Sequence, residues 1–404
     1  MVIGIIGGGA SGMMAALAAS QDNRNTVLLF ERQARVGRKL LATGNGRCNL
    51  TNLHANAAAY HGNQPEFAAA ALEKLPVQET LKWFEKLGLY TVTEESGRVY
   101  PYSDQANSVV DVLRFALQRP NIQVLTGSEV HKVRKMNNDF VIETEQGSHT
   151  CNRVIIACGG LAGTKLGGSM SGYQLLRGFG HHMTRLRPAL VQLKSSWNGC
   201  SALKGVRANC QAGIYHNGSL YAHSSGEIQF TDYGLSGPVI FEISRDVCHE
   251  CGEWSCVLDF LPQINVADLK NMLMLKRNSG LLAEELFTGI LHNRLGRVLT
   301  GAVGIKGNSP ISQLSDVELE AACAAAKGFC ISLTEPMGMD NAQVTAGGIL
   351  TEEFFDNTME SRLVSGLYAC GEVLDIDGDC GGFNLQWAWS SGYLAGKCAG
   401  GVSA

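Results

Sequence analysis

The 404-residue chain contains no uninterrupted apolar run of about 18 residues, the length a membrane-spanning helix requires, so no span is expected. Its 13 cysteines are odd in number and scatter from Cys48 to Cys398. That argues against a secreted disulfide framework and makes a reducing cytosol the simpler setting. The apolar start, Met1 to Ala19, has no basic n-region and is broken by glycines, so it does not read as a secretory signal. Carboxylates are absent from Gln146 to Gly226, where chance would place about seven of the chain's 37. A second complete GxGxxG is also missing; Gly159, Gly160 and Gly163 make only a fragment, so a separate nicotinamide domain is not expected.

What is abundant is glycine. The 48 glycines are about 12% of the chain against a usual ~7%, and they cluster around apolar runs. Such placement suits turns where backbone approaches a ligand closely. Val2 to Ile6 reads as a buried strand, Gly7 to Gly12 as a tight turn, Met13 to Ser20 as a small-residue helix, and Thr26 to Phe30 as a second strand ending at Glu31. This is the order of a dinucleotide-binding βαβ unit. Residues 65–90 and Asn107 to Leu117 read as helical. Ile122 to Leu125, Glu129 to Lys135 and Asp139 to Thr144 read as strands of one small sheet, and Cys151 to Cys158 as another buried strand.

From about Pro188 the texture changes. The reading places an inserted domain at 188–336: β-rich over 188–262, helical over 263–310, and returning over 311–336. Residues 1–187 and 337–404 then form one domain from both chain ends. The expected fold class is α/β, with a Rossmann-type domain interrupted by a β-rich and helical insertion.

In the first turn Gly7 permits the bend, Gly9 lets a pyrophosphate approach, and Gly12 lets helix and sheet pack closely. Ala10 and Ser11 open the helix, whose N-terminus offers N–H groups and partial positive charge to phosphates. Glu31, nineteen residues after Gly12, is placed to accept from ribose hydroxyls, with Arg32 beside it. Nicotinamide and flavin dinucleotides share this device. Two segments discriminate: GRKLLATGNGRCNLTN (37–52), dense in donors and cations, and Cys370-Gly371-Glu372, which can set an acid on a ribityl chain.

With Gly7–Gly12, the 37–52 segment, the Ala157-Cys158-Gly159-Gly160 turn and the GGFNLQWAW tail (381–389), the chain resembles the BaiN/RdsA family of FAD-dependent oxidoreductases over nearly its whole length. The resemblance implies FAD contacts at Gly7, Gly9, Gly12, Glu31, Arg38, Lys39, Gly46, Arg47, Cys48, Asn49, Gly371, Glu372 and Asn384, with Ala157, Gly159, Gly381 and Gly382 in the same turns. By analogy with the wider group, Val130 is expected to touch the adenine through its backbone. It also implies reduction of an activated C=C bond, in large-subunit ribosomal RNA uridine or in a bile-acid enone. A flavin can deliver hydride to the β carbon while an acid protonates the α carbon. NADH or NADPH is a candidate transient reductant. Uridine in ribosomal RNA is the favoured substrate; a small enone reductase and a non-catalytic flavin redox sensor are the alternatives, and the oligomeric state is open.

Three further readings stand on residues alone. The acid-free stretch carries Arg153, Lys165, Arg177, Arg185, Arg187, Lys194, Lys204 and Arg207, a candidate RNA phosphate track over 146–226, or else a merely solvated face. Cys48, beside Arg47, is a candidate proton donor because a nearby cation lowers a thiol pKa; Cys380 is a second. A small buried residue is the plainer role for Cys48, and His181-His182 reads as surface or core filler. The run Cys248-His249-Glu250-Cys251 with Cys256 has a metal-like spacing but no fourth ligand at the right distance, so no metal is expected.

Overall fold

The computed structural model describes residues 1–245, 247 and 251–402. The chain divides into two units, Met1–Pro188 with Ala342–Ala404, and Ala189–Asn341.

The apolar run Val2–Ile6 (β1) is flanked by Thr26–Glu31 (β2) on one side and Arg153–Ile156 on the other, both parallel to it. Leu367–Ala369 and Ile122–Thr126 complete a five-stranded parallel sheet, in the order 367–369, 153–156, β1, β2, 122–126. Strands covered on both faces are apolar without alternation, which is how these sequences read. One strand therefore comes from the last tenth of the chain, and the Rossmann-type α/β class is as the sequence indicated.

The helix Ala10–Ala19 (α1) has no polar face; nine of its ten residues are buried. Its partner is the C-terminal helix Phe383–Ala399. Cβ atoms at Gly392 and Gly396 would lie 2.3 Å from the carbonyl oxygens of Ser11 and Ala15. Two glycines one turn apart thus let the helices touch backbone to backbone, and the two chain ends lock together.

Three local expectations are corrected. Ile122–Thr126 is not part of the small sheet; it pairs with β2, register Leu29 to Val124. The small antiparallel sheet is Val130–Met136, Asp139–Thr144 and Gly147–Cys151. Cys151 to Cys158 is not one strand, because the chain passes from that sheet to the parallel one at Asn152, whose amide nitrogens are held by Val2 O and Asp139 Oδ1. Residues 65–90 form two helices, Ala68–Lys74 and Val77–Lys86, since Pro76 excludes Leu75 from helical geometry.

The second unit is a closed barrel of Leu193–Ser195, Gly234–Ser236, Ser219–Phe230, Arg207–His216, Trp254–Asp259 and Phe329–Pro336. Ile214, Ile228, Phe230, Leu235, Cys256, Leu258 and Ile331 belong to its buried core, which extends to the helices Val266–Leu275, Asn293–Ala302 and Asp316–Lys327. Among the described residues no helix is long and apolar enough to cross a membrane.

Candidate functional site

The first glycine turn is fixed by backbone contacts. Gly7 has φ +110°, and a Cβ there would lie 2.4 Å from Ala157 O; one on Gly12 would lie 1.8 Å from Gly7 O. Neither position accepts a side chain. At Gly9 the case is opposite: φ is −80°, and nothing lies within 4 Å of its Cβ position. The space Gly9 leaves open stands at the N-terminus of α1, where Ala10, Ser11 and Gly12 begin the helix without a side-chain cap or acidic residue among the described groups. Gly46 and Gly159 also border open space at positive φ.

Glu31 ends β2 with its carboxylate held by two backbone donors, Gly8 N–H on Oε2 and Gln33 N–H on Oε1, at 2.8 and 2.7 Å. Ser128 N–H donates to Glu31 O, which brings the 127–130 segment, with buried Val130, to the end of β2. Arg32 donates to Gly167 O, and Arg38 to Gln33 Oε1 and Lys165 O. Lys39 reaches across 333 residues to Glu372: Nζ donates to Oε2 at 2.8 Å, while Thr345 N–H donates to Oε1 at 2.8 Å. Both oxygens of the expected ribityl acid are therefore engaged. Gly160 packs there too, its Cβ position 2.6 Å from Glu372 Oε1.

The C-terminal turn is built from glycines at positive φ: Gly371, Gly381 and Gly382. Gly371 N–H donates to Ser391 Oγ, and a Cβ on Gly371 would lie 2.6 Å from Ser11 Oγ, so this turn reaches the N-terminal turn. Gly382 lies over Thr51 O and Asn49 Oδ1, 2.4 and 2.8 Å from its Cβ position. Asn49 Oδ1 is buried and has no protein partner. The Asn384 side chain holds the turn: Oδ1 accepts from Gly378 N–H, and Nδ2 donates to Gly378 O and Asp379 O. Open glycine surfaces, an uncapped helix end, a β2 carboxylate and an orphaned buried amide oxygen fit an extended dinucleotide.

The Cys48 argument needs correction. Arg47 gives its charge to Asp104 and to Glu94, and its guanidinium lies 3.9 Å over the Tyr100 ring. The Cys48 side chain is buried, with φ +62°, and burial pushes its thiol up to about 12, only partly offset by a hydrogen bond with Thr43. It is a protonated, inaccessible group and not an activated thiol. Cys380 is half-buried on the 379–382 turn. His181 is enclosed, its ring nitrogens 2.8 Å from Glu353 Oε2 and 2.9 Å from Ser361 Oγ, and desolvation lowers its pKa. Cys248 and His249 lie outside the described residues, and no group of three potential metal ligands occurs within them.

The sequence reading gave no site role to Thr345, Gly160, Gln386 or His61. Thr345 had a signal in its own run, Thr345-Ala346-Gly347-Gly348. Gln386 ties Thr51, Leu75, Thr80 and Ser390 in the core beneath the turn. His61 had no spacing to flag it, yet its Nε2 stands 2.7 Å from Asp379 Oδ1.

The acid-free stretch is not uniformly basic in space. In the barrel unit Lys194 pairs with Glu335, Lys204 with Asp232 and Arg207 with Glu227. Arg153 donates to Cys398 O and Ala399 O at the end of the C-terminal helix. Lys165, Arg177 and Arg185 are exposed, with no ion pair among the described residues.

The chain is 41% identical over 403 residues to the 3-dehydro-bile acid delta(4,6)-reductase of Clostridium scindens, with 98% of each chain covered. It is 32% identical over 395 residues to the ribosomal RNA dihydrouridine synthase of Escherichia coli, covering 96% of this chain and 95% of that one. The 3-ketosteroid delta1-dehydrogenase structure from Sterolibacterium denitrificans matches with TM-score 0.52 at 12% identity, covering 99% of both chains, which shows a shared fold. The family model described as HI0933-like protein Rossmann domain matches residues 1–398. With that match and the glycine geometry above, the chain belongs to the HI0933-like, or BaiN/RdsA-type, family of FAD-dependent oxidoreductases.

Proposed function

We propose that the protein is an FAD-dependent reductase of a C=C bond conjugated to a carbonyl, with uridine of large-subunit ribosomal RNA as its substrate. The observation that carries the reaction class is the pair of near-full-length relatives. One is named for a bile-acid delta(4,6) reduction and one for dihydrouridine synthesis, and both saturate a conjugated double bond. When bound, the flavin supplies the hydride; the protein supplies position and a proton.

In this reading the N–H groups of Ala10, Ser11 and Gly12 and the ammonium of Lys39 hold the diphosphate, and Glu31 takes a ribose hydroxyl. Gly46 and Gly159 let backbone lie against the cofactor. Asn49 Oδ1, otherwise without a donor, takes a polar N–H or O–H from it. Asn384 contributes through its helix position, since its amide is committed to the 378–379 turn. NADH or NADPH delivers electrons as a transient visitor. Exposed Lys165, Arg177 and Arg185 are the candidates to meet RNA phosphates.

A second reading, a small enone, is favoured by the ion pairs that neutralise Lys194, Lys204 and Arg207. An anaerobic titration separates the two. Reduced enzyme is mixed with a uridine-containing fragment of ribosomal RNA or with a bile-acid enone, and return of the oxidised flavin spectrum is followed. Mass spectrometry of ribosomal RNA from cells without the gene should show loss of one two-hydrogen increment on a uridine. An unchanged RNA spectrum together with reoxidation by the enone would transfer the assignment to the second reading.

A further inference from the structure

Reduction of a conjugated C=C needs a proton at the α carbon as well as a hydride, and Cys48, the thiol candidate for it, is enclosed and raised in pKa. Around the 377–382 turn the acid–base groups sort by access. Tyr60 donates its hydroxyl to Phe383 O and is pushed above its ordinary range by burial. Asp375 and Asp377 are almost fully buried. His61 and Asp379 remain half-exposed, with side-chain accessibilities of 38% and 41%.

Their geometry is built, not incidental. Tyr60–His61 pairs antiparallel with Asp377–Gly378, His61 opposite Asp377, and Asp379 N–H donates to Ala59 O. Asn384 clamps the same turn through Gly378 and Asp379. Gly381 is held by Asn52 Nδ2 and lies against the Arg98 guanidinium. Asp379 therefore has little backbone freedom and fixes the imidazole through Nε2, 2.7 Å away, which leaves Nδ1 as the ring atom not engaged by Asp379. Imidazole can carry a proton on either ring nitrogen, so with Nε2 turned to the carboxylate, Nδ1 is the atom placed to give one up.

We propose that His61, oriented by Asp379, is the general acid of the reductase, an assignment that rests on the reading above. A flavin held at this site would supply the hydride, with both electrons, to the β carbon. The Nδ1–H of the imidazolium protonates the α carbon, and the neutral ring regains its proton from solvent. Asp379 is a positioning residue. Asp379 is in direct contact with the ring; the other charged or titratable groups on the segments that hold it are Tyr60, Asp375, Asp377 and Cys380, with Arg98 against Gly381.

The test uses chemically reduced holoenzyme with cyclohexenone and with a uridine-containing RNA oligomer, in water and in D2O. His61→Gln should slow reoxidation by about 10²-fold, the scale of a lost general acid, while FAD affinity and the chemical reduction of the flavin stay unchanged. Imidazole should restore part of the rate, and deuterium at the α carbon should lose its facial preference. Asp379→Asn should lower the rate less and move the pH profile. Wild-type rate and stereochemistry in His61→Gln would overturn the proposal. If the wild-type enzyme is reoxidised by neither substrate, the reductase reading falls and takes this assignment with it.

Discussion

The N-terminal glycine turn and the C-terminal glycine turn are both short, glycine-rich and next to a helix start, yet they differ in how far their residues declare their roles. At residues 7–12 every glycine is explained by what its missing Cβ would strike or leave open. Those contacts lie within the βαβ unit and one neighbouring strand. At residues 371–384 the glycines are equally constrained, but the side chains among them answer to remote partners. Glu372 is held by Lys39 and Thr345, and Asp379 by His61. A motif defined by backbone geometry can be read locally; one that depends on side-chain partners cannot.

The largest expected break in this comparison is Gly12→Ala. A methyl 1.8 Å from Gly7 O has no flexible neighbour to displace, so the apo protein should lose about 4 kcal/mol or more, seen as a collapse of the denaturation midpoint. An unchanged midpoint would mean the turn is softer than its contacts indicate.

The buried thiol of Cys48, one residue before the Asn49 that Gly382 packs against, gives a pH signature. The folded state holds the Cys48 proton more tightly than the unfolded chain, raising the pKa from 9.0 to about 12. Its contribution is complete below about pH 9 and is lost as pH rises toward 12. Cys48→Ala should flatten part of the alkaline loss of stability, and iodoacetamide at pH 8 should label native Cys48 far more slowly than the unfolded chain. Rapid labelling of the native protein would refute its enclosure.

Asn384→Ala leaves the Gly378 backbone groups unpaired and should cost about 2 kcal/mol of stability by urea titration. Weakened FAD binding without a change in stability would instead make Asn384 a direct ligand. Gly9→Ala is the converse of Gly12→Ala: apo stability should hold, while FAD affinity falls about tenfold, or ~1.4 kcal/mol, as the methyl enters the open space. The smallest effect is expected at Lys204→Ala. It breaks a solvent-exposed pair with Asp232 and should leave the denaturation midpoint indistinguishable from that of the unchanged protein.

The sequence by itself determined the α/β class, the dinucleotide turn and the parallel strands with their apolar runs, because strand periodicity and glycine requirements act over a few residues. It also marked Lys39, Asn49 and Glu372 as notable. Tertiary structure alone decided that Ile122–Thr126 joins β2, that acids from outside 146–226 neutralise cations within it, and that Arg47 serves Asp104 rather than Cys48. It alone paired His61 with Asp379. In each case the deciding partner lies tens to hundreds of residues away, and charge and burial depend on distance in space, which spacing along the chain does not encode.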